Sequence, residues 1–335
     1  MTAQALESRD IGGAAAGRVA KKTFTTAEHF EDWIERIKWG IRSNTLTAYK
    51  GYLSNHIHGS SIGGRAVGAV GATEMQKWMR HMKDEKGLSV KTVRLVFCMM
   101  KTGFQYAVES KRIKANPCDG VRSLKQVKRE VEVFSRTEQK KLEAAVLENT
   151  DGRTFGITLC LYTGLRIGEL CALKWSDIDW ERQRLTVKQS LGRVYKHDGS
   201  EVKTEIREDE PKTDNAVRTI PLPKFLLAML RTRRKSSRSE YVISMKNGRF
   251  VQPRTMQNIF YRLLERTKLK HMNFHILRHT FATRALELSV NMNTLSEILG
   301  HGNVSVTLEI YAHVLDEQRI KMTEFFDNFN KREMS

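Results

Sequence analysis

The sequence predicts a mainly α-helical protein of two domains, with one small β-sheet in the second, an α+β arrangement. Three observations carry this. Apolar residues recur at helical spacing from Phe24 to about Ser110, and Asn116-Pro117 then stops the pattern. Near residues 185 to 222 the period shortens to two, and after Pro253 helical spacing returns. A chain of 335 residues is long enough for two domains that each bury a core.

Residues 1–23 are rich in Ala and Gly with scattered charge and no periodicity, so they read as a flexible leader. The first domain spans 24–118. Thr26 can cap a helix that carries Phe30, Trp33, Ile34 and Ile37 on one face, and Ser43 can cap the next, through Ala48 and Tyr52. Thr73 begins a third helix with Met75, Trp78, Met79 and Met82, and Ser89 a fourth with Val93, Val96, Phe97, Met100 and Phe104. Four helices with short connections make a compact bundle. The proline at 117 bars helix at the residue before it, and residues 119–133 follow as a basic linker with Arg122, Lys125, Lys128 and Arg129.

The second domain, 134–335, opens with the capping box Ser135-Arg136-Thr137-Glu138. Residues 185 to 190, 217 to 222 and 241 to 244 look like strands. The charged stretch from Gly192 to Glu210 is long for a hairpin connection, and reads as an extended hairpin or a disordered loop.

With 57 Lys+Arg against 38 Asp+Glu, the formal charge is +19, which favours a polyanionic partner, most simply nucleic acid. A membrane surface would also suit the charge, but no run of eighteen apolar residues exists and the start lacks a secretory pattern, so a cytoplasmic protein is expected. Cys98, Cys118, Cys160 and Cys171 lack Cys-x-x-Cys spacing and read as ordinary thiols.

Chemistry-bearing residues concentrate in the second domain, in short words. Arg166 stands in Thr163-Gly164-Leu165-Arg166-Ile167-Gly168-Glu169-Leu170, where flanking glycines suit a turn into a helix that packs closely. Glu169, three residues on, can hold a cation of the same site. Then come Lys212 in Glu210-Pro211-Lys212-Thr213-Asp214, His275-Ile276-Leu277-Arg278-His279, Leu299-Gly300-His301, and Tyr311 in Glu309-Ile310-Tyr311-Ala312-His313. Guanidinium forks grip phosphate oxygens, histidines and a lysine move protons, and a tyrosine hydroxyl can be a covalent nucleophile. His275 and His279 have the i, i+4 spacing of a zinc helix, but Arg278 between them repels a dication. His279 is therefore expected to pack behind the site, against Phe274 or Phe281. Asp177 and Asp179, beside Trp175 and Trp180, suggest a turn rather than a metal pair. No metal and no cofactor are expected.

These words in this order are the signature of the tyrosine recombinases. The chain resembles the phage integrases and, more closely, the integrases of conjugative transposons, from about residue 24 to about 330. The resemblance implies a helical core-type DNA-binding domain and a catalytic domain that close on duplex DNA as a C-shaped clamp. It implies that Arg166, Arg278, His275 and His301 stabilise a phosphorane, that Lys212, with Lys203 as its rival, protonates the leaving 5′ oxygen, and that Tyr311 forms a 3′ phosphotyrosine. Strand exchange would then integrate and excise a mobile element at double-stranded attachment sites. A type IB topoisomerase shares the site and is the alternative; a degenerate, non-catalytic DNA binder is disfavoured because every position is filled.

The resemblance also implies a tetramer on two duplexes, in which a helix at about 315–331 passes to the neighbouring protomer, and an accessory directionality factor as a further partner. Thr45, Tyr49, Lys50, Lys91, Thr92, Arg94 and Lys101 are polar positions on the bundle's apolar helices and candidate DNA contacts.

Overall fold

The computed structural model describes residues 24–125, 131–196, 204–209, 217–305, 307, 308 and 311, which form two compact units divided at residue 127. The first unit is a bundle of α1 (Thr26–Ile37), α2 (Ser43–Tyr52), α3 (Ala72–Asp84) and α4 (Val90–Glu109). Its core holds most of the apolar set expected from spacing: Phe30, Trp33, Ile34, Met75, Trp78, Met79, Met82, Val93, Val96, Met100 and Phe104 are buried, while Ile37 and Phe97 are half-buried at its edge. Three helix starts differ from expectation: α3 begins at Ala72 after Gly71, so Thr73 lies inside it. Thr25, not Thr26, caps α1, because Glu28 stands three residues after Thr25 and closes a capping box with it, while the Thr26 hydroxyl donates to the Arg65 carbonyl at 3.1 Å. Arg42 precedes α2 without a side-chain cap, so Ser43 lies inside the helix.

The second unit begins with α5 (Arg136–Leu147), where Ser135 and Glu138 form the expected box. Helices α6 (Phe155–Thr163) and α7 (Ile167–Ala172) lead to the strands. Three of these, β1 (Ile178–Asp179), β2 (Arg184–Val187) and β5 (Arg218–Pro221), form an antiparallel sheet in the order β1-β2-β5. Between β2 and β5 lies an antiparallel hairpin, β3 (Ser190–Tyr195) with β4 (Thr204–Asp209), so the charged stretch is a hairpin in its described part. Residues 241 to 244 are not a strand: Tyr241 and Ser244 make single bridges to Lys174 and Phe250. Helices α8 (Lys224–Ser236), α9 (Pro253–Arg266), α10 (Ile276–Glu287) and α11 (Met292–Leu299) complete the unit. Pro253 at the first turn of α9 needs no amide partner there. Asp177 and Asp179 accept the Lys174 and Arg182 backbone amides, as turn residues do, and no helix among the described residues could cross a membrane.

Candidate active site

Helix α6 ends at Gly164 with φ +66°, a left-handed conformation, and an added side chain would meet Phe281 at 2.6 Å. The chain then extends through Arg166, which stands just before α7 with its side chain outside the helix start. Gly168 brings α7 against β3 so closely that a Cβ would sit 2.7 Å from the Leu191 carbonyl oxygen. The two glycines flanking Arg166 thus set where its guanidinium emerges.

Glu169 organises what emerges. Its carboxylate accepts from the Arg166 amide and guanidinium, each at 2.8 Å, and from both arms of Arg218 at 3.0 and 2.8 Å. Burial works to raise its pKa, but the Arg218 hydrogen bonds and the charges of Arg218 and Arg166 outweigh it and hold the carboxyl at about 2. Arg218, which the sequence reading passed over, donates its Nε to the Ile298 carbonyl at 2.6 Å. A signal for it existed. Arg218 alternates with Thr219 and Pro221 on the strand face shared with Ile220 and Leu222, so the period of two alone places it inward.

Arg278, from α10, donates to the Gly164 carbonyl at 2.9 Å, the Leu299 carbonyl at 2.6 Å and Nε2 of His301 at 2.8 Å. A guanidinium only donates, so Nε2 of His301 is the acceptor and its proton sits on Nδ1, facing the Thr307 hydroxyl at 2.7 Å. Burial, then Arg278, Arg166 and Arg218, push the His301 imidazole down to about 4. Burial and Arg166 push Arg278 down to about 9, which leaves it cationic at neutral pH.

His275 caps the start of α10 on the exposed side, its amide held by the Asn273 side chain at 2.9 Å. Its partial burial and the nearby arginines push it down to about 4. A cavity of about 760 Å³ opens beside it, lined among others by Arg193 and Arg254. The His279 ring meets the His275 ring edge-on, 4.7 Å between centroids, and its Nδ1 lies 2.8 Å from the Tyr311 hydroxyl. That corrects the packing role expected of His279. Burial pushes the Tyr311 phenol up, and its ring sits in a small apolar cluster with Ala282, Leu286, Leu295 and Leu299.

The structure therefore brings together Arg166, Glu169, His275, Arg278, His301 and Tyr311 from α6–α7, α10 and the segment after α11. Lys212, Lys203 and the helix expected at 315–331 lie outside the described residues. Of the bundle positions, Tyr49 stacks on Trp33 and joins the core edge, Lys50 pairs with Glu35 at 3.2 Å, Lys101 with Asp119 at 3.0 Å, and Thr92 meets the Ser89 hydroxyl. Thr45 is half-buried; Lys91 and Arg94 are exposed.

Residues 127–318 match the phage integrase family, and the chain belongs to it. A tyrosine recombinase XerC-like protein of Caldanaerobacter subterraneus subsp. tengcongensis is 30% identical over 90% of this chain and 82% of that one. The transposase of transposon Tn916 from Enterococcus faecalis is 25% identical over 82% of this chain and 70% of its own length. Among solved structures, the Tn1549 transposon integrase in complex with a circular intermediate DNA superposes with a TM-score of 0.76 at 25% identity, covering 90% of this chain and 99% of that one. The protein is thus a tyrosine recombinase, a site-specific recombinase enzyme, similar to transposon integrases.

Proposed function

We propose that the protein integrates and excises a mobile element by cleaving and rejoining duplex DNA through Tyr311. The observation that supports this most is the convergence of Arg166, Arg278, His275 and His301 from separate elements: Arg166 reaches the Gly300 carbonyl beside His301 at 3.2 Å, Arg278 meets Nε2 of His301 at 2.8 Å, and the His275 ring meets the His279 ring whose Nδ1 bonds Tyr311. In this reading the scissile phosphate sits where the two guanidiniums and the His275 ring meet, and they stabilise the charge that develops on its non-bridging oxygens. Tyr311 attacks phosphorus and loses its proton. The P–O bond to the 5′ carbon's oxygen breaks, and Lys212 donates a proton to that oxygen. The products are a 3′ phosphotyrosine and a free 5′ hydroxyl. Because the phosphotyrosine keeps the bond energy, a 5′ hydroxyl from another duplex reverses the step without ATP and without a metal ion. Glu169 and Arg218 hold Arg166 in place.

The bundle and the second unit would both contact the duplex as a clamp, and exchange of the C-terminal helix would assemble four protomers on two duplexes. The Tn1549 relative, solved in complex with a circular intermediate DNA, supports a circular element as the substrate. Incubation with duplexes spanning the ends of the DNA segment that encodes the chain should yield a protein–DNA adduct that survives denaturing electrophoresis. No adduct on any such duplex would overturn the reading. Removal of residues 316–335 should leave single-site binding within a few fold but weaken paired complexes; unchanged pairing would remove the helix-exchange element.

A further inference from the structure

The Tyr311 side chain is 1% exposed, so its phenolic hydrogen cannot be satisfied by bulk water. Among the described residues its one hydrogen-bond partner is Nδ1 of His279, at 2.8 Å. If that nitrogen carried a proton, two hydrogens would face each other or the phenolic one would be orphaned. The phenol therefore donates and Nδ1 accepts. Donation in this direction turns the O–H away and leaves the oxygen's lone pairs unused. It also ties Tyr311 to α10, the helix that carries His275 and Arg278.

We infer that His279 is a positioning residue for the nucleophile, a neutral acceptor that fixes the Tyr311 oxygen relative to the phosphate-binding residues of α10. This inference rests on the recombinase reading above. His279 is one turn from His275, with the rings edge to face, and neighbours Arg278 in sequence, so one short stretch of helix would present both the phosphate ligands and the atom that aims the attacking oxygen. Among the described residues, the charged and titratable groups that face it, His275, Arg278 and His301, include no carboxylate that would favour an imidazolium. Burial, His275 and Arg278 push His279 down to about 4, while burial pushes Tyr311 above its ordinary value. A proton does not pass between two such groups at rest. The contribution is orientation, and the proton leaves Tyr311 only as the oxygen bonds to phosphorus.

Asparagine and glutamine separate this role from a base and from simple packing. An asparagine amide oxygen can occupy the place of Nδ1, whereas the glutamine oxygen falls one carbon further, near the place of Nε2. In the full chain, cleavage of a nicked duplex spanning the element's end, measured in a single turnover, should stay within a few fold of the native rate in His279→Asn. His279→Gln and His279→Phe should fall by about 10- to 100-fold, the scale of a misplacement of about 1 Å. Duplex binding and thermal midpoint should be alike in the Asn and Gln variants. Equal loss in Asn and Gln would overturn the inference, as would native rates in Gln and Phe; the Asn and Gln pair decides even if the Phe variant does not fold. No adduct with the native chain would overturn the parent reading and this one with it, whereas an adduct formed at the native rate by all three variants would remove only this one.

Discussion

In the bundle of residues 24–125 the largest fully buried side chains are Trp78, Phe30 and Phe104, whereas in the second unit Arg278 and Tyr311 join that class. The bundle's polar interior is slight: His29 bonds the Gly103 carbonyl at 2.9 Å and Arg112 the Asp32 carboxylate at 2.6 Å. The second unit instead encloses Arg278 at 2% exposure, Glu169 at 6% and Arg218 at 7%. Burying apolar stripes stabilises at about 25 cal/mol per Å². Buried ions bring no such gain, because desolvation consumes most of what their pairing returns. Buried charge is therefore concentrated in the unit that carries the candidate site, and the interior of the other unit is shaped mainly by apolar packing.

Substitutions can break or sharpen this contrast. The largest effect belongs to Tyr311→Phe, which should abolish the covalent adduct while leaving duplex binding nearly native, since one oxygen is lost; an adduct at native yield would end the assignment. Lys212→Ala should slow cleavage by about 10²- to 10⁴-fold, the usual scale for a general acid. A duplex with sulfur in place of the bridging 5′ oxygen leaves without protonation and should restore that variant, but not Arg166→Ala. Rescue of a Lys203 variant instead would move the acid. Arg166→Ala and Arg278→Ala should each cost about 3–4 kcal/mol of transition-state stabilisation, read from single-turnover rates.

Stability measurements come next in size. Glu169→Ala removes the carboxylate that accepts from both arms of the buried Arg218 and should lower unfolding free energy by about 3–5 kcal/mol in urea titrations. Trp78→Ala should cost a similar amount, about 3–5 kcal/mol, through a cavity. The two losses should part on acidification. Glu169 is held at about 2 against an ordinary 4.5, so its contribution is present above pH 4.5 and is lost as pH falls toward 2. The native-to-Glu169→Ala gap should therefore close over that window, while the Trp78 gap should not.

A gentler slope lies at higher pH. His275, His279 and His301 are each pushed from an ordinary 6.5 down to about 4. Between those values the unfolded chain binds protons that the folded one refuses, so stability should fall as pH drops from 6.5 toward 4. A triple variant at these positions should flatten that fall; an unchanged slope would place its origin elsewhere. The smallest expected effect is none at all: EDTA should leave adduct formation unaltered, and inhibition that added magnesium reverses would contradict the metal-free step.

The contrast also explains what was legible. Helical spacing alone picked out the bundle core, because apolar burial writes a period into the chain. In the second unit the short words around Arg166, Arg278 and His301 marked residues that the fold brings together, and Gly164 and Gly168 marked the close turn. Arg218 was missed because a lone arginine in Val217-Arg218-Thr219-Ile220 suggests a solvated strand edge, although alternation with Ile220 pointed inward. The His279–Tyr311 bond joins residues 32 apart that meet only once α10 and the segment after α11 are packed, and no local pattern encodes such a meeting. The one-residue error at Thr25 was avoidable, since Glu28 stands at the capping-box distance from Thr25 and not from Thr26.

Among the described residues Arg278 makes no hydrogen bond to a carboxylate; the Gly164 and Leu299 carbonyls that receive it are the C-terminal ends of α6 and α11, where helix dipoles present partial negative charge. A counter-ion of this kind does not titrate, and it belongs to no side chain. Scanning mutagenesis would pass through positions 164 and 299 without deleting either oxygen. The grip would yield instead to a change in helix length, so single-residue insertions and deletions in α6 or α11 are the lesions to which a genetic screen of this protein should prove most sensitive.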